Sequence, residues 1–211
     1  MICAHPLIME SSMTLNLLLS MSAFALVSSI TPGPVNIVSL GAGVQHGFRS
    51  TMRHVAGATL GFCILLLLIG LGMHELLQTQ PRFMQLVRWF GVVFLLYMAI
   101  QLIRANGELG GESNSKKPSY LQGALMQWLN PKAWLASIAG MGVYAADGSV
   151  RLVLQFSVIY FVVCFASLSA WAYAGAFLRN QFTKPNYLRL FNRAMAALLA
   201  VSALYLLTSD Y

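Results

Sequence analysis

Between residues 152 and 178 the chain carries no charged side chain, and between residues 55 and 73 it again carries none. A helix crossing the hydrocarbon core of a bilayer needs about 20 predominantly apolar residues, so both stretches are long enough to span it. Within lipid every backbone polar group must be satisfied internally, which leaves helices or closed barrels. Unbroken apolar runs of this length read as helices. Four more spans are expected at residues 13–30, 83–103, 120–146 and 187–207, with Arg88 snorkelling to the interface. Charged residues make up 9% of the chain and hydrophobic ones 58%, where soluble domains hold about a quarter charged. The expected class is an all-α integral membrane protein of six transmembrane helices, with little chain left for a soluble domain.

Two of these spans are interrupted. Thr31-Pro32-Gly33-Pro34 ends the first apolar run, and Asn130-Pro131-Lys132 divides the fourth. Asn is a favoured N-cap, and proline is favoured at the first helical position, where its missing N–H costs nothing. The second motif therefore reads as one half-helix ending near Leu129 and another starting at Pro131. In the first, Thr31 is placed to cap, the prolines fix φ, and Gly33 permits a sharp bend. A new helix start presents free N–H groups and a partial positive charge, a seat for a carboxylate. Carbonyls released before each break can accept from an ammonium group. A zwitterionic amino acid needs both features together. Paired breaks in two halves of a membrane chain point to a transport site. The depths of the two breaks are uneven: the first suits either a tilted broken helix or a re-entrant turn.

The net charge of +7 is distributed by side rather than gathered into a nucleic-acid patch. Arg49, Arg53, Arg104, Lys116, Lys117, Arg179, Lys184, Arg189 and Arg193 fall in the first, third and fifth connections. The other connections and the termini hold only Arg82, Arg88 and Arg151. The positive-inside rule then places the odd connections in the cytoplasm and both termini outside. The polar Gly/Ser-rich stretch 104–119 reads as a cytoplasmic linker between two repeats, 13–103 and 120–211, behind an irregular extension at 1–12. Three spans per repeat make the halves inverted, with the first and fourth helices broken. No cleavable signal peptide is expected, and Met13 is a second candidate start.

Lys132 is the one charge placed inside a span, and intramembrane charges are functional hypotheses by default. It has two readings: a bond to carbonyls of the first break, or direct substrate contact. Asn36 and Asn130 flank the breaks and lean to structural roles, while Gln127 and Trp128 precede the second break. Trp128 reads as packing before it reads as cavity wall. His46 and His54, with Arg49 and Arg53, read as a solvated interfacial loop rather than as proton carriers. Gly57-x-x-x-Gly61 is a close-packing pattern for membrane helices. Cys63 and Cys164 have no metal or disulfide spacing and read as small apolar fillers. Neither a cofactor nor a metal is expected.

The first motif followed by Asn36, then Gly47 and Arg49, the glycines of residues 55–61, and Asn130-Pro131-Lys132-Ala133 give the chain its resemblance. It resembles the LysE/RhtB group of bacterial amino-acid exporters along essentially its whole length. His46-Gly47-Phe48-Arg49 looks most like the branch exporting cysteine and O-acetylserine. The resemblance implies a proton-driven exporter of small amino acids or related metabolites in the bacterial inner membrane. Its candidate site is Thr31, Pro32, Gly33, Pro34, Asn36, Gln127, Asn130, Pro131 and Lys132. Many members carry Asp or Asn where this chain has Val35, which weakens any case for lysine-type substrates. The expected partners are a small amino-acid substrate and the lipid bilayer, with a homodimer open and no nucleic acid. The alternatives are a membrane thiol–disulfide electron carrier and a passive channel for small solutes.

Overall fold

The computed structural model describes residues 5–73, 81–104, 118–146, 148–179 and 185–208. Among them lie eight α-helices and no strand: α1 (His5–Ile30), α2 (Pro34–His46), α3 (Phe48–Leu68), α4 (Pro81–Arg104), α5 (Tyr120–Trp128), α6 (Pro131–Tyr144), α7 (Val150–Arg179) and α8 (Pro185–Thr208). Most of the expected linker, residues 105–117, lies outside the described residues. α1 starts at His5, inside the stretch expected to be irregular. Pro6 does not prevent this, because a proline in the first helical turn has no intrahelical bond to lose.

Both breaks are present. α1 and α2 are separated by three residues and bent by 61°. α5 and α6 are separated by Leu129 and Asn130. Phe48–Gly72 and α7 are each long and apolar enough to cross a membrane, and the bent pair α1–α2 makes a third candidate when taken as one span. The surface agrees with that solvent. Val27, Val93, Leu121, Val143, Val158 and Leu190 are exposed, while Asn36, Thr59, Gln127, Asn130, Ser137 and Ser157 are buried. A soluble fold does not expose so many large apolar side chains around a polar interior.

The packing crosses between the two halves of the sequence. α3 lies against α5, α7 against α1 and α2, and α4 against α8. Glycines set the closeness of the first two contacts. A Cβ on Gly57 would collide with the backbone of Tyr120, and one on Gly61 with Ala124. On the other side Gly43 meets the Ala172 carbonyl and Gly175 meets that of Leu40. These are backbone-to-backbone approaches that any side chain would prevent.

Candidate functional site

At the first break the helix surrenders carbonyls that lipid cannot satisfy, and side chains answer those of Ser29, Ile30 and Thr31. The Thr31 hydroxyl donates back to the Val27 carbonyl at 2.8 Å. Asn36 Nδ2 reaches across the break to the Ser29 carbonyl at 2.8 Å. Trp171 Nε1 donates to the Ile30 carbonyl at 3.1 Å. Lys132 Nζ donates to the Thr31 carbonyl at 2.9 Å and to its hydroxyl oxygen at 3.0 Å. The two breaks, uneven in depth by residue count, therefore meet in space.

The second break closes on itself. Asn130 is the N-cap of α6 and its Oδ1 accepts from the Lys132 N–H at 3.2 Å. Trp134 Nε1 donates to the Trp128 carbonyl at 2.8 Å, and Trp128 Nε1 donates to the Gly61 carbonyl at 3.0 Å. The two indoles meet edge to face, with centroids 6.3 Å apart. Trp128 is thus a strut between the second break and α3.

Thr31 does not cap α2, contrary to expectation. The N-cap position falls to Gly33, extended at φ −163, and no side chain caps the helix. The reason is geometric: the Thr31 hydroxyl is still over the last turn of α1, where its nearest acceptor is the Val27 carbonyl. The unprotected first turn of α2 carries Val35 and Asn36 to the wall of a cavity. α6, by contrast, begins with its cap satisfied.

That cavity has room for about 30 Å³, roughly two water molecules. Gln127 comes to it from α5, Asn130 from the second break, Lys132, Ala133 and Ala136 from α6, and Ser28 and Ser29 from α1. Phe62 of α3 and Tyr160, Cys164 and Leu168 of α7 complete the wall. Of the sequence-derived candidates, Asn36, Gln127, Asn130 and Lys132 converge here. Thr31 and Pro32 are exposed, and Gly33, Pro34 and Pro131 are buried without lining the cavity. Gly33 lies under the Lys132 side chain, where a Cβ would come 3.3 Å from Nζ. Among the lining residues Lys132 carries the one charge. Among the described residues no grouping of three or more His, Cys, Asp or Glu side chains could hold a metal ion.

Besides apolar lining residues such as Phe62 and Leu168, the expectations missed four wall residues with polar or thiol side chains and misplaced one histidine. Ser28, Ser29, Tyr160 and Cys164 line the cavity. The only signal for them was the pair of serines directly before the first break. His54 is not in a solvated loop: it is fully buried in α3, and neither ring nitrogen has a hydrogen-bond partner.

Residues 26–210 match the family model of LysE type translocators. The chain belongs to the LysE-type translocator family. It is a multi-pass membrane transporter, not an enzyme. Among LysE-type relatives, a cysteine/O-acetylserine efflux protein of Salmonella typhimurium is 29% identical over 194 residues, covering 90% of this chain and 97% of that protein. A protein of the same description from Klebsiella pneumoniae is 28% identical with the same coverage. One from Escherichia coli strain K12 is 28% identical over 193 residues, again covering 90% of this chain and 97% of its own. No solved structure matches this chain.

Proposed function

We propose that this translocator is a secondary exporter, carrying cysteine, O-acetylserine or similar small amino acids out of the cytoplasm by alternating access around the cavity between the breaks. The observation that carries this is the Lys132 ammonium clasping Thr31 beside the uncapped start of α2. A substrate carboxylate replaces Thr31 as the partner of Lys132 and takes the first N–H groups of α2. The substrate ammonium goes to the side-chain oxygens of Asn36, Gln127 and Asn130. Thr31, Pro32, Gly33, Pro34 and Pro131 shape the breaks. Among the described residues no carboxylate lines the cavity, which disfavours a cationic substrate side chain. At about 30 Å³ the cavity is too small for an amino acid, since ligand pockets run to roughly 300 Å³ and above. The halves must part to load it.

The proposed frame is six spans in two inverted repeats, 13–103 and 120–211, joined by the cytoplasmic linker 104–119. The reciprocal packing supports it: the second helix of each repeat leans on the broken helix of the other, and the two third helices pair. The charge distribution supports outward termini in a bacterial inner membrane. Proton coupling is carried over from the family resemblance.

Counterflow of a panel of amino acids in proteoliposomes, at two values of the pH gradient, tests this reading. Accumulation against a concentration gradient that responds to the pH difference supports a coupled exporter. Mere equilibration of solutes would indicate a channel, and transport of no small amino acid would sink the proposal. Loss of activity on Cys63→Ser alone would instead favour the thiol carrier.

A further inference from the structure

The wall formed by α1 and α7 holds polar groups that the binding of a carboxylate and an ammonium does not use. Ser29 lies in the last turn of α1, is 8% exposed and lines the cavity; its hydroxyl makes no well-formed hydrogen bond, although the Tyr160 hydroxyl and the Cys164 thiol lie near it. A buried hydroxyl left without a partner is costly, so such a group marks a place where something else supplies the bond. Beside it Ser28 Oγ donates to the Phe24 carbonyl at 2.7 Å. With that proton committed, Ser28 accepts from the Tyr160 hydroxyl at 2.5 Å. Tyr160 has therefore spent its donor and offers only lone pairs. Its ring is held by stacking on Phe62, centroids 4.3 Å apart. The Cys164 thiol, 3% exposed, lies one turn further along α7 and also lines the cavity.

We infer that Ser29 and Tyr160 form a subsite for the substrate side chain, Ser29 donating to it and Tyr160 accepting from it. This rests on the exporter proposed above and adds the residues that select among substrates. A thiol or hydroxyl one carbon from Cα satisfies both groups, because it accepts from Ser29 and donates to Tyr160. An ester side chain only accepts, so it engages Ser29 alone. An apolar side chain of the same size engages neither and leaves Ser29 unpaired. Phe62 and Leu168 close the apolar part of the wall and limit the length that fits.

The test is counterflow by the full-length protein in proteoliposomes, with L-cysteine, O-acetyl-L-serine and L-2-aminobutyrate offered together. The ratio of two substrates in the same vesicles does not depend on how much folded protein they hold. Wild type should prefer both polar substrates to 2-aminobutyrate. Ser29→Ala should erase most of that preference for both, about fivefold to tenfold, the range expected for one hydrogen bond. Tyr160→Phe should lower the preference for cysteine by a similar factor and leave that for O-acetylserine unchanged. Should Ser29→Ala carry no substrate at all, the split between cysteine and the ester in Tyr160→Phe decides alone. Unchanged ratios in both variants would overturn the subsite while leaving the exporter standing. Transport of none of the three by wild type overturns both.

Discussion

Lys132 donates to the carbonyl and the hydroxyl of Thr31, a residue 101 positions earlier in the chain. One ammonium therefore joins the two interrupted helices at the point where each stops being a helix. Lys132→Met should lower initial counterflow rates per folded protein by about tenfold or more, since hydrogen bonds to charged groups are worth about 1.5–3 kcal/mol. Thr31→Val keeps the carbonyl and loses only the hydroxyl, so its loss should be smaller. Equal damage from the two substitutions would mean that the clasp matters and the cation's contact with substrate does not.

Gly57 and Gly142 make a matched pair for testing the packing between the halves. Any Cβ at Gly57 meets the Tyr120 backbone, whereas nothing lies within 4 Å of one at Gly142. Gly57→Ala should cost about 1–3 kcal/mol through overpacking, and Gly142→Ala should be neutral or slightly stabilising. Melting temperatures in one detergent report both.

Trp134→Phe keeps a six-membered aromatic ring but loses the pyrrole portion and with it the donor to the Trp128 carbonyl. That carbonyl sits where α5 ends and has been released from its ladder. Leaving it unsatisfied should cost about 1–3 kcal/mol, read as a lower melting temperature. Substrate protection against unfolding should persist, because the indole is not part of the cavity wall.

His54 is wholly buried with both ring nitrogens unpartnered. Polar groups in that condition cost free energy that an apolar side chain does not. His54→Leu should leave the melting temperature unchanged or raise it. A clear drop would show that the imidazole bonds to something in the folded protein.

The breaks were legible because proline acts locally: it removes a donor and fixes φ wherever the chain goes. Asn130 as a cap followed for the same reason. Thr31 did not, because whether its hydroxyl turns forward or back depends on how far α1 persists before Pro32. His54 was misjudged by counting the span from the last arginine. α3 begins at Phe48 and is two-faced there, with Arg49 and Arg53 exposed on one side and Thr51, His54 and Val55 buried on the other. Beyond the serine pair before the first break, no local pattern pointed to Ser28, Ser29, Tyr160 and Cys164 as neighbours. They share a wall only because α7 packs on α1 with one particular rotation.

The contact of Gly57 and Gly61 with α5 bears on how the protein is made. The first three helices leave the ribosome before α5 exists, with a glycine face awaiting a backbone not yet synthesised and a Gly61 carbonyl awaiting the Trp128 indole. Insertion into the bilayer and completion of the fold are therefore separate events. A chain truncated before Tyr120 would sit in the membrane with that face open to lipid or to a neighbouring copy, a target for quality-control proteolysis rather than half a transporter.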